Sequence, residues 1–311
     1  MSEFQKEEGD VTNTDEKIVH ASPSTSSPSN QQTSIMSPEN QIHQPKKFPC
    51  KYFAMGKCNK GDSCRFIHDQ NAYNNNMMRM QSSQPKPVII DLKPGTPVFS
   101  IDVECVATST LHNARSIAHI AMVDEWCRPV CSLYVKQEKK VASYLTPVTG
   151  VTAEIIEKHG MFLSDALIQL RQHLPPNAVL VGQNIKKDVE WLNLAEGLDF
   201  ASMIDLVALF RVWNIIHNGY TVFSQDHVAK VWLGYPERET HDALNDAAIS
   251  MSLFNAYRTC QFDENNLRRM QMLTLETPRT PSYSATHPTI DGCCLGHRKT
   301  CSCGAPFFIS S

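Results

Sequence analysis

Two acidic residues, Asp102 and Glu104, stand two positions apart in an otherwise apolar stretch, FSIDVECV at 99–106. If this stretch is a β-strand, both carboxylates lie on one face, while the apolar residues that alternate with them lie on the other. Two carboxylates on one face repel each other, and a pair of divalent metal ions that activates water for hydrolysis would compensate this repulsion. The alternative interpretation is an edge strand whose acidic face is solvated.

Three further residues extend this acidic pair. Asp188 is predicted near the start of a helix that follows an apolar run, and His241 and Asp246 flank the start of the last long helix, 241–260. With Thr240 or His241 at the N-terminus of that helix, His241 lies in a flexible lead-in and Asp246 lies more than a turn inside. This arrangement suits a hydrolysis in which the carboxylates hold two metal ions and the histidine takes a proton from the attacking water. Taken alone, the segment HDALNDA could also be a surface helix with acidic spacing.

The elements that must position these residues follow from hydrophobic periodicity. Three alternating stretches are predicted to form an antiparallel meander of strands, at 99–106, 116–124 and 128–136. Helices are predicted to begin at the N-caps Thr152 and Ser164, and the apolar run 178–184 is predicted to be a buried central strand. This order indicates an α/β or α+β domain with a mixed sheet. Three other polar residues are interpreted as structural or rim residues: Asp205, Asp226 and His227.

Three segments of the chain resemble the motifs of a known nuclease family: FSIDVEC at 99–105, VGQNIKKDVEWL at 181–192 and HDALNDA at 241–247. In this order they resemble the three motifs of the DEDDh family of 3′ to 5′ exonucleases, and within it the branch of RNA exonucleases. The resemblance implies an α/β fold of the ribonuclease H-like type, with a mixed sheet flanked by helices.

The resemblance also implies a role for each motif residue. Asp102 would bridge two metal ions, Mg²⁺ or Mn²⁺, Glu104 and Asp246 would complete the first metal site, and Asp188 would support the second. His241 would be the general base. One departure is visible, because Cys105 stands where many relatives have Met directly after the motif's Glu.

A second group of chemistry-bearing residues lies in the segment 46–69. Three cysteines and a histidine are spaced C-x7-C-x5-C-x3-H, a ligand set that suits tetrahedral zinc: Cys50, Cys58, Cys64 and His68. A segment with two glycines and hardly any core needs a metal ion to hold a fold. Its six basic and two acidic residues give a local charge of +4. The residues that could contact nucleic-acid bases and phosphates are Lys51, Tyr52, Phe53 and Phe66.

This spacing, together with the aromatic residues, resembles the CCCH zinc-finger family. Members of that family commonly bind single-stranded RNA, and the resemblance implies the same activity here. The alternative is a purely structural or protein-binding finger.

Composition and the two resemblances together predict six segments. They are a disordered tail (1–45), the CCCH finger (46–69), a linker (70–96), the exonuclease domain (97–260), a second linker (261–290) and a Cys/His-rich segment (291–311). The last segment could hold a second zinc ion through several ligand sets, or it could be a disordered tail of reduced thiols. Its candidate ligands are Cys293, Cys294, His297, Cys301 and Cys303.

The net charge and the lengths of the apolar runs exclude some classes of protein. A net charge of −3 argues against coating nucleic acid by bulk electrostatics, so phosphate contacts must come from local patches. The sequence shows neither an N-terminal signal-like run nor a membrane-spanning run, so we expect a soluble intracellular protein of the nucleus or cytoplasm. The eleven cysteines are then better interpreted as metal ligands and thiols than as disulfides.

The sequence and its resemblances together predict a metal-dependent 3′ to 5′ exoribonuclease whose finger binds single-stranded RNA. One alternative is a DNA exonuclease built on the same domain. The other is an RNA-binding adaptor that uses a nuclease-like domain as an interaction platform. The sequence identifies no protein partner.

Overall fold

A computed structural model of the chain describes residues 48–82, 85–236, 238 and 240–307. The predicted disordered tail, 1–45, lies outside these ranges. Within the described ranges, none of the helices combines the length and the apolar character needed to cross a bilayer.

A five-stranded mixed sheet forms the centre of the fold, in the order β3-β2-β1-β4-β5. The first three strands pair antiparallel, as the predicted meander requires, and β4 and β5 join them in parallel. The strands are β1 (Val98–Ala107), β2 (Arg115–Asp124), β3 (Pro129–Tyr134), β4 (Val179–Gly182) and β5 (Ser202–Asp205). Two small hairpins follow, β6 (Val212–Asn214) with β7 (Gly219–Thr221) and β8 (Thr289–Ile290) with β9 (Cys293–Cys294).

Helices precede, flank and follow this sheet. They are α1 (Lys51–Ala54), α2 (Gln70–Ser82), α3 (Thr146–Thr149), α4 (Ala153–His159), α5 (Leu163–His173), α6 (Ile185–Trp191), α7 (Leu206–Phe210), α8 (Gln225–Leu233), α9 (Ala243–Cys260), α10 (Glu264–Glu276) and α11 (Tyr283–Thr286). The prediction of a mixed α/β sheet flanked by helices is confirmed.

Apolar side chains cover both faces of the sheet. Val179 and Val181 of β4 pack with α8 and α9, whereas Leu180 between them packs with α5 and α6 on the opposite face. A strand buried on both faces must be apolar at every position, which explains the unbroken run at 178–182. The sheet therefore fixes β1, its central strand, between two cores.

Side-chain caps mark the start of several helices. Thr152 accepts a hydrogen bond from the Ile155 amide at the start of α4, as predicted. The prediction of Ser164 as a cap is wrong, because α5 begins at Leu163 and Ser164 already lies in its first turn. At α9 the N-cap is Asp242, whose carboxylate accepts hydrogen bonds from the amides of Leu244 and Asn245, rather than Thr240 or His241.

Both segments predicted to be linkers contain helices. Asp69 accepts hydrogen bonds from two amides at the start of α2, and Asp263 caps α10 in the same way. The helix α10 buries Leu267 and Thr274, and the Thr274 carbonyl lies 2.8 Å from Nε2 of His227 in α8. The packed structure thus continues beyond residue 260.

Candidate active site

The strand β1 and the helix α9 bring three carboxylates together. Asp102 and Glu104 come from β1, and Asp246 comes from the first turn of α9. One carboxylate oxygen of each of these residues lies within 4.8 Å of the others. Asp246 is buried, and the two acids of β1 are partly exposed. The structure thus places the predicted acidic pair of β1 beside the predicted acid of the last helix.

Asp188 lies close to this group without belonging to it. It stands in the first turn of α6 and is 8% exposed. Burial is the main reason that its pKa rises to about 7. Its negative charge is in turn one of the reasons that the pKa of Asp102 is raised.

The carboxylates of Asp102, Glu104 and Asp246 lie too close together for all of them to be negatively charged without a cost in free energy. Burial, followed by the charges of Asp188, Asp246 and Glu104, raises the pKa of Asp102 well above its usual range. Burial, followed by the charge of Asp246, raises the pKa of Glu104 to about 8. Hard divalent cations prefer carboxylate oxygens, and a bound cation would stabilise the charged carboxylates and so oppose these shifts. The donor set therefore fits the predicted Mg²⁺ or Mn²⁺.

His241 contacts the same group from the loop before α9. Its Nδ1 lies 2.9 Å from Oδ2 of Asp246, and its Nε2 lies 3.4 Å from Oδ2 of Asp226. The hydrogen bond with Asp246 is the main cause of a raised pKa at His241. About a third of the side chain is exposed, so the ring combines a fixed carboxylate partner with access to solvent.

Arg238 belongs to none of the sequence motifs, and Asp226 was predicted to be a structural or rim residue. The guanidinium of Arg238 donates hydrogen bonds to Asp226 at 2.7 Å, to Gln225 at 3.0 Å and to Asp246. These residues come from α8, α9 and the loop between them, so they meet only through the tertiary fold. No local spacing pattern could have predicted their convergence.

A cleft of about 660 Å³ opens beside His241. Its lining includes Gln225, Asp226 and Arg238, together with Tyr283 and His287. The rings of Tyr283 and His287 are stacked, with centroids 4.3 Å apart. The C-terminal segment that was predicted to be a linker thus lines the cleft next to the acidic group.

The four predicted ligands of the finger also converge. The thiol sulfurs of Cys58 and Cys50 each lie 3.8 Å from that of Cys64, and one atom of His68 completes a group within 4.8 Å. Sulfur atoms bound to one tetrahedral zinc ion at about 2.3 Å would be roughly 3.8 Å apart. Among the described residues, Nε2 of His68 is a buried nitrogen without a hydrogen-bond partner. This donor set fits zinc.

The predicted base-stacking residues of the finger differ in accessibility. Tyr52 is 52% exposed, and the Lys51 ammonium lies 5.2 Å from its ring centroid. The ring of Phe53 is stacked on His68 with centroids 4.5 Å apart, so one of its faces already covers a proposed ligand. Phe66 is partly buried and has the Arg65 guanidinium over its ring. Tyr52 therefore offers the most accessible ring of the three.

Three of the five predicted C-terminal ligands join a histidine from the loop between β1 and β2. Cys294, Cys301 and Cys303 form a group with His112, which precedes β2. Cys293 is buried in a separate apolar cluster with Ala107 and Leu145. His297 instead lies 3.2 Å from the Thr300 hydroxyl. The structure therefore does not bring Cys293 or His297 into this group.

Comparison with protein families gives two matches. The RNase T family model, described as an exonuclease, matches residues 99–254, and a CCCH zinc finger domain model matches residues 50–68. The first match covers half of the chain and includes every residue of the acidic group and His241.

Curated relatives match the chain over part of their length. RNA exonuclease 5 of Macaca fascicularis is 31% identical over 205 residues, which are 62% of this chain and 25% of the relative. Small RNA degrading nuclease 3 of Arabidopsis thaliana is 29% identical over 161 residues, which are 51% of this chain and 20% of the relative. The chain thus spans a quarter or less of the length of these relatives.

A solved structure shares the fold. The Saccharomyces cerevisiae Pan2 pseudoubiquitin hydrolase–RNA exonuclease module in complex with A7 RNA matches 62% of this chain and 34% of that chain. The TM-score is 0.50 and the sequence identity is 16%, so the likeness shows the fold alone.

Proposed function

Because the chain belongs to the RNase T exonuclease family, we propose that it is a metal-dependent exoribonuclease that removes nucleotides from the 3′ end of single-stranded RNA. The observation that supports this most directly is the meeting of Asp102, Glu104 and Asp246 beside His241. A domain used only as an interaction platform gains nothing from carboxylates whose burial raises their pKa values.

The four acids have the roles of metal ligands in this proposal. Asp102, Glu104 and Asp246 supply a set of hard oxygen donors. Asp188, whose charge acts on Asp102, would support a second ion. Two bound Mg²⁺ or Mn²⁺ ions would supply the Lewis acidity and positive charge that hydrolysis of a phosphodiester requires. The protein's own contribution is to hold the donors on β1, α6 and α9, which the two cores fix in place.

His241 takes the proton of the attacking water in this proposal. The Nδ1 atom donates its hydrogen bond to Asp246, which leaves Nε2 as the basic nitrogen of a neutral ring. The loop that carries His241 is tied to α3, because the His241 amide donates to the Val148 carbonyl at 3.1 Å. The general base is therefore oriented by a buried carboxylate and by a backbone hydrogen bond.

The finger binds the RNA in this proposal and delivers its 3′ end to the cleft. Exposed Tyr52 can stack on a base, while Lys51 and other basic residues of the segment contact phosphates. The names of the relatives also favour RNA, since one is an RNA exonuclease and the other a small RNA degrading nuclease.

Digestion of matched single-stranded RNA and DNA oligonucleotides by the full chain with Mn²⁺ tests the proposed substrate. We expect RNA to be degraded much faster than DNA of the same sequence. Equal or faster digestion of DNA would favour the DNA exonuclease instead. Tight RNA binding without digestion of either polymer would favour the adaptor.

A further inference from the structure

The C-terminal segment returns to the exonuclease domain as the hairpin of β8 and β9. Its turn is Asp291-Gly292, with φ values of 49° and 77°, the conformation that a two-residue hairpin turn favours. The Cys294 amide donates to the Thr110 carbonyl at 2.9 Å, and Arg115 donates to the Cys294 carbonyl at 2.6 Å. The backbone of Cys294 is thus held at its amide by the loop between β1 and β2 and at its carbonyl by the first residue of β2.

This docking brings three thiols to one imidazole. Sγ of Cys301 lies 3.5 Å from Sγ of Cys294 and 3.6 Å from Sγ of Cys303. Nδ1 of His112 lies 3.2 Å from Sγ of Cys303 and 3.6 Å from Sγ of Cys301. Ligand atoms on a tetrahedral zinc ion would be separated by roughly 3.5 to 3.8 Å, whereas a disulfide would require about 2.05 Å. The spacing is that of zinc ligands.

The surroundings of the group are shaped around His112. Gly296 has a φ of +75°, and a β-carbon at this position would lie only 3.1 Å from Cβ of His112. A glycine therefore allows the C-terminal segment to close over the histidine. The ring of Phe307 is stacked on that of His112 with centroids 4.3 Å apart. The Gly296 amide also donates to Sγ of Cys294 at 3.4 Å, as amides near metal-bound thiolates do.

We propose that His112, Cys294, Cys301 and Cys303 bind a structural zinc ion, separate from that of the CCCH finger. Three thiolates and one imidazole fill a tetrahedral shell and leave no position open for a substrate, which is typical of a structural site. The ion fastens the C-terminal segment to the loop that follows β1, the strand of Asp102 and Glu104. The local apolar cluster around Cys293 is small, so a metal ion would supply much of the binding energy of this segment.

Zinc counting on the full-length chain tests the site. We expect two zinc ions per wild-type chain, and one in the variants Cys58→Ser, His112→Ala and Cys301→Ser. The matched control is His297→Ala, which removes a histidine of the same segment outside the group, and it should retain two ions. One zinc ion in the wild type, or two in His112→Ala, would overturn the proposal, as would loss of an ion in His297→Ala.

A cobalt experiment remains decisive if a C-terminal variant fails to fold. The Cys58→Ser chain, whose finger cannot close its ligand set, should still bind one Co²⁺ with the absorption of a tetrahedral thiolate site. Adding His112→Ala should abolish that absorption, and adding His297→Ala should leave it unchanged. Absence of the absorption from folded Cys58→Ser protein would contradict a second site.

Limited proteolysis provides a readout of the docking itself. Arg298 and Lys299 are exposed trypsin sites between the second and third proposed ligands. Local opening controls the cleavage rate, so His112→Ala should be cut there several-fold faster than the His297→Ala control. Equal rates would show that the ion does not fasten the segment.

Discussion

His241 and Asp246 form a hydrogen bond of 2.9 Å between Nδ1 and Oδ2, which joins the loop before α9 to its buried first turn. Asp246 is 6% exposed, whereas about a third of the His241 side chain is accessible. A fixed acid thus orients a more accessible imidazole at the mouth of the cleft. The proposed metal ligand and the proposed base are therefore in direct contact.

Removal of the His241 imidazole distinguishes a general base from a metal ligand. We expect His241→Ala to lower kcat by roughly 10²- to 10⁴-fold, because a positioned general base contributes about that much. The Mn²⁺ affinity measured by calorimetry should be nearly unchanged, since the carboxylates remain. A comparable loss of metal affinity would make His241 a ligand instead of a base.

Substitution of Asp102 should abolish most of the activity without lowering the stability of the fold. Asp102→Asn keeps the shape of the side chain but weakens metal binding, so we expect activity to fall by roughly 10³-fold or more. Because burial raises the pKa of Asp102 in the folded chain, the unfolded chain releases this proton more easily, and the folded state loses stability as the pH rises above about 3.9, the ordinary pKa of an aspartate. In metal-free buffer near neutral pH, the variant should therefore have a Tm equal to or above that of the wild type. Near wild-type turnover would contradict the metal-site proposal.

The buried His119 makes stability sensitive to acid. It is 2% exposed, it is stacked on Tyr134, and Nε2 lies 2.8 Å from the Ser132 hydroxyl. Burial lowers its pKa to about 4, and the charge of Asp242 opposes this shift. Glu104 is its pairing partner on β1.

The sign of the effect follows from proton binding. Between about pH 6.5 and pH 4 the unfolded chain binds the proton on residue 119 more strongly than the folded chain, so acidification costs up to roughly 3 kcal/mol of unfolding free energy. Chemical denaturation of wild type and His119→Gln at several pH values isolates this contribution, because the carboxylates are common to both. We expect the wild type to lose more stability than the variant between pH 7 and pH 4. Parallel curves would show that His119 is not the responsible group.

The finger should affect capture of RNA more than chemistry. Tyr52→Ala removes an exposed ring while it leaves the zinc ligands and Phe53 in place. Stacking of one base contributes about 1 to 3 kcal/mol, so KM on long single-stranded RNA should rise by roughly 5- to 150-fold. Very short oligonucleotides, which cannot span finger and cleft, should be cleaved at a nearly normal rate.

A matched substitution controls for the loss of a surface aromatic ring. Trp126 is 65% exposed and has the Arg128 guanidinium over its ring, but it lies in the exonuclease domain. Trp126→Ala should leave KM on both substrates unchanged. If Tyr52→Ala affects long and short RNA equally, the finger acts within the catalytic domain, and if it affects neither, the finger binds something other than the substrate.

Local patterns predicted the parts of the structure that depend on neighbouring residues. The period-two alternation at 99–106 placed Asp102 and Glu104 on one face of a strand, and the position of Thr152 predicted the cap of α4. These features depend on backbone geometry within a few residues. They could therefore be predicted before the sheet order was known.

Features that depend on tertiary packing could not be predicted in this way. His112 precedes Cys303 by 191 residues, and only the return of the C-terminal hairpin brings them together. Arg238 likewise reaches Asp226 and Asp246 because α8 and α9 pack side by side. The N-cap of α10 at Asp263, by contrast, is a local signal that the polar composition of the segment 261–290 obscures.

The most direct test of the central claim follows the fate of both ends of one RNA. A single-stranded RNA labelled at its 5′ end should shorten one nucleotide at a time in the presence of Mn²⁺, and the same RNA labelled at its 3′ end should release labelled mononucleotide from the first turnover. Asp102→Asn protein prepared in parallel should produce neither pattern, which would exclude a contaminating nuclease. Release of mononucleotide from the 5′ end, or cleavage at internal positions, would contradict the account of this protein as a 3′ to 5′ exoribonuclease.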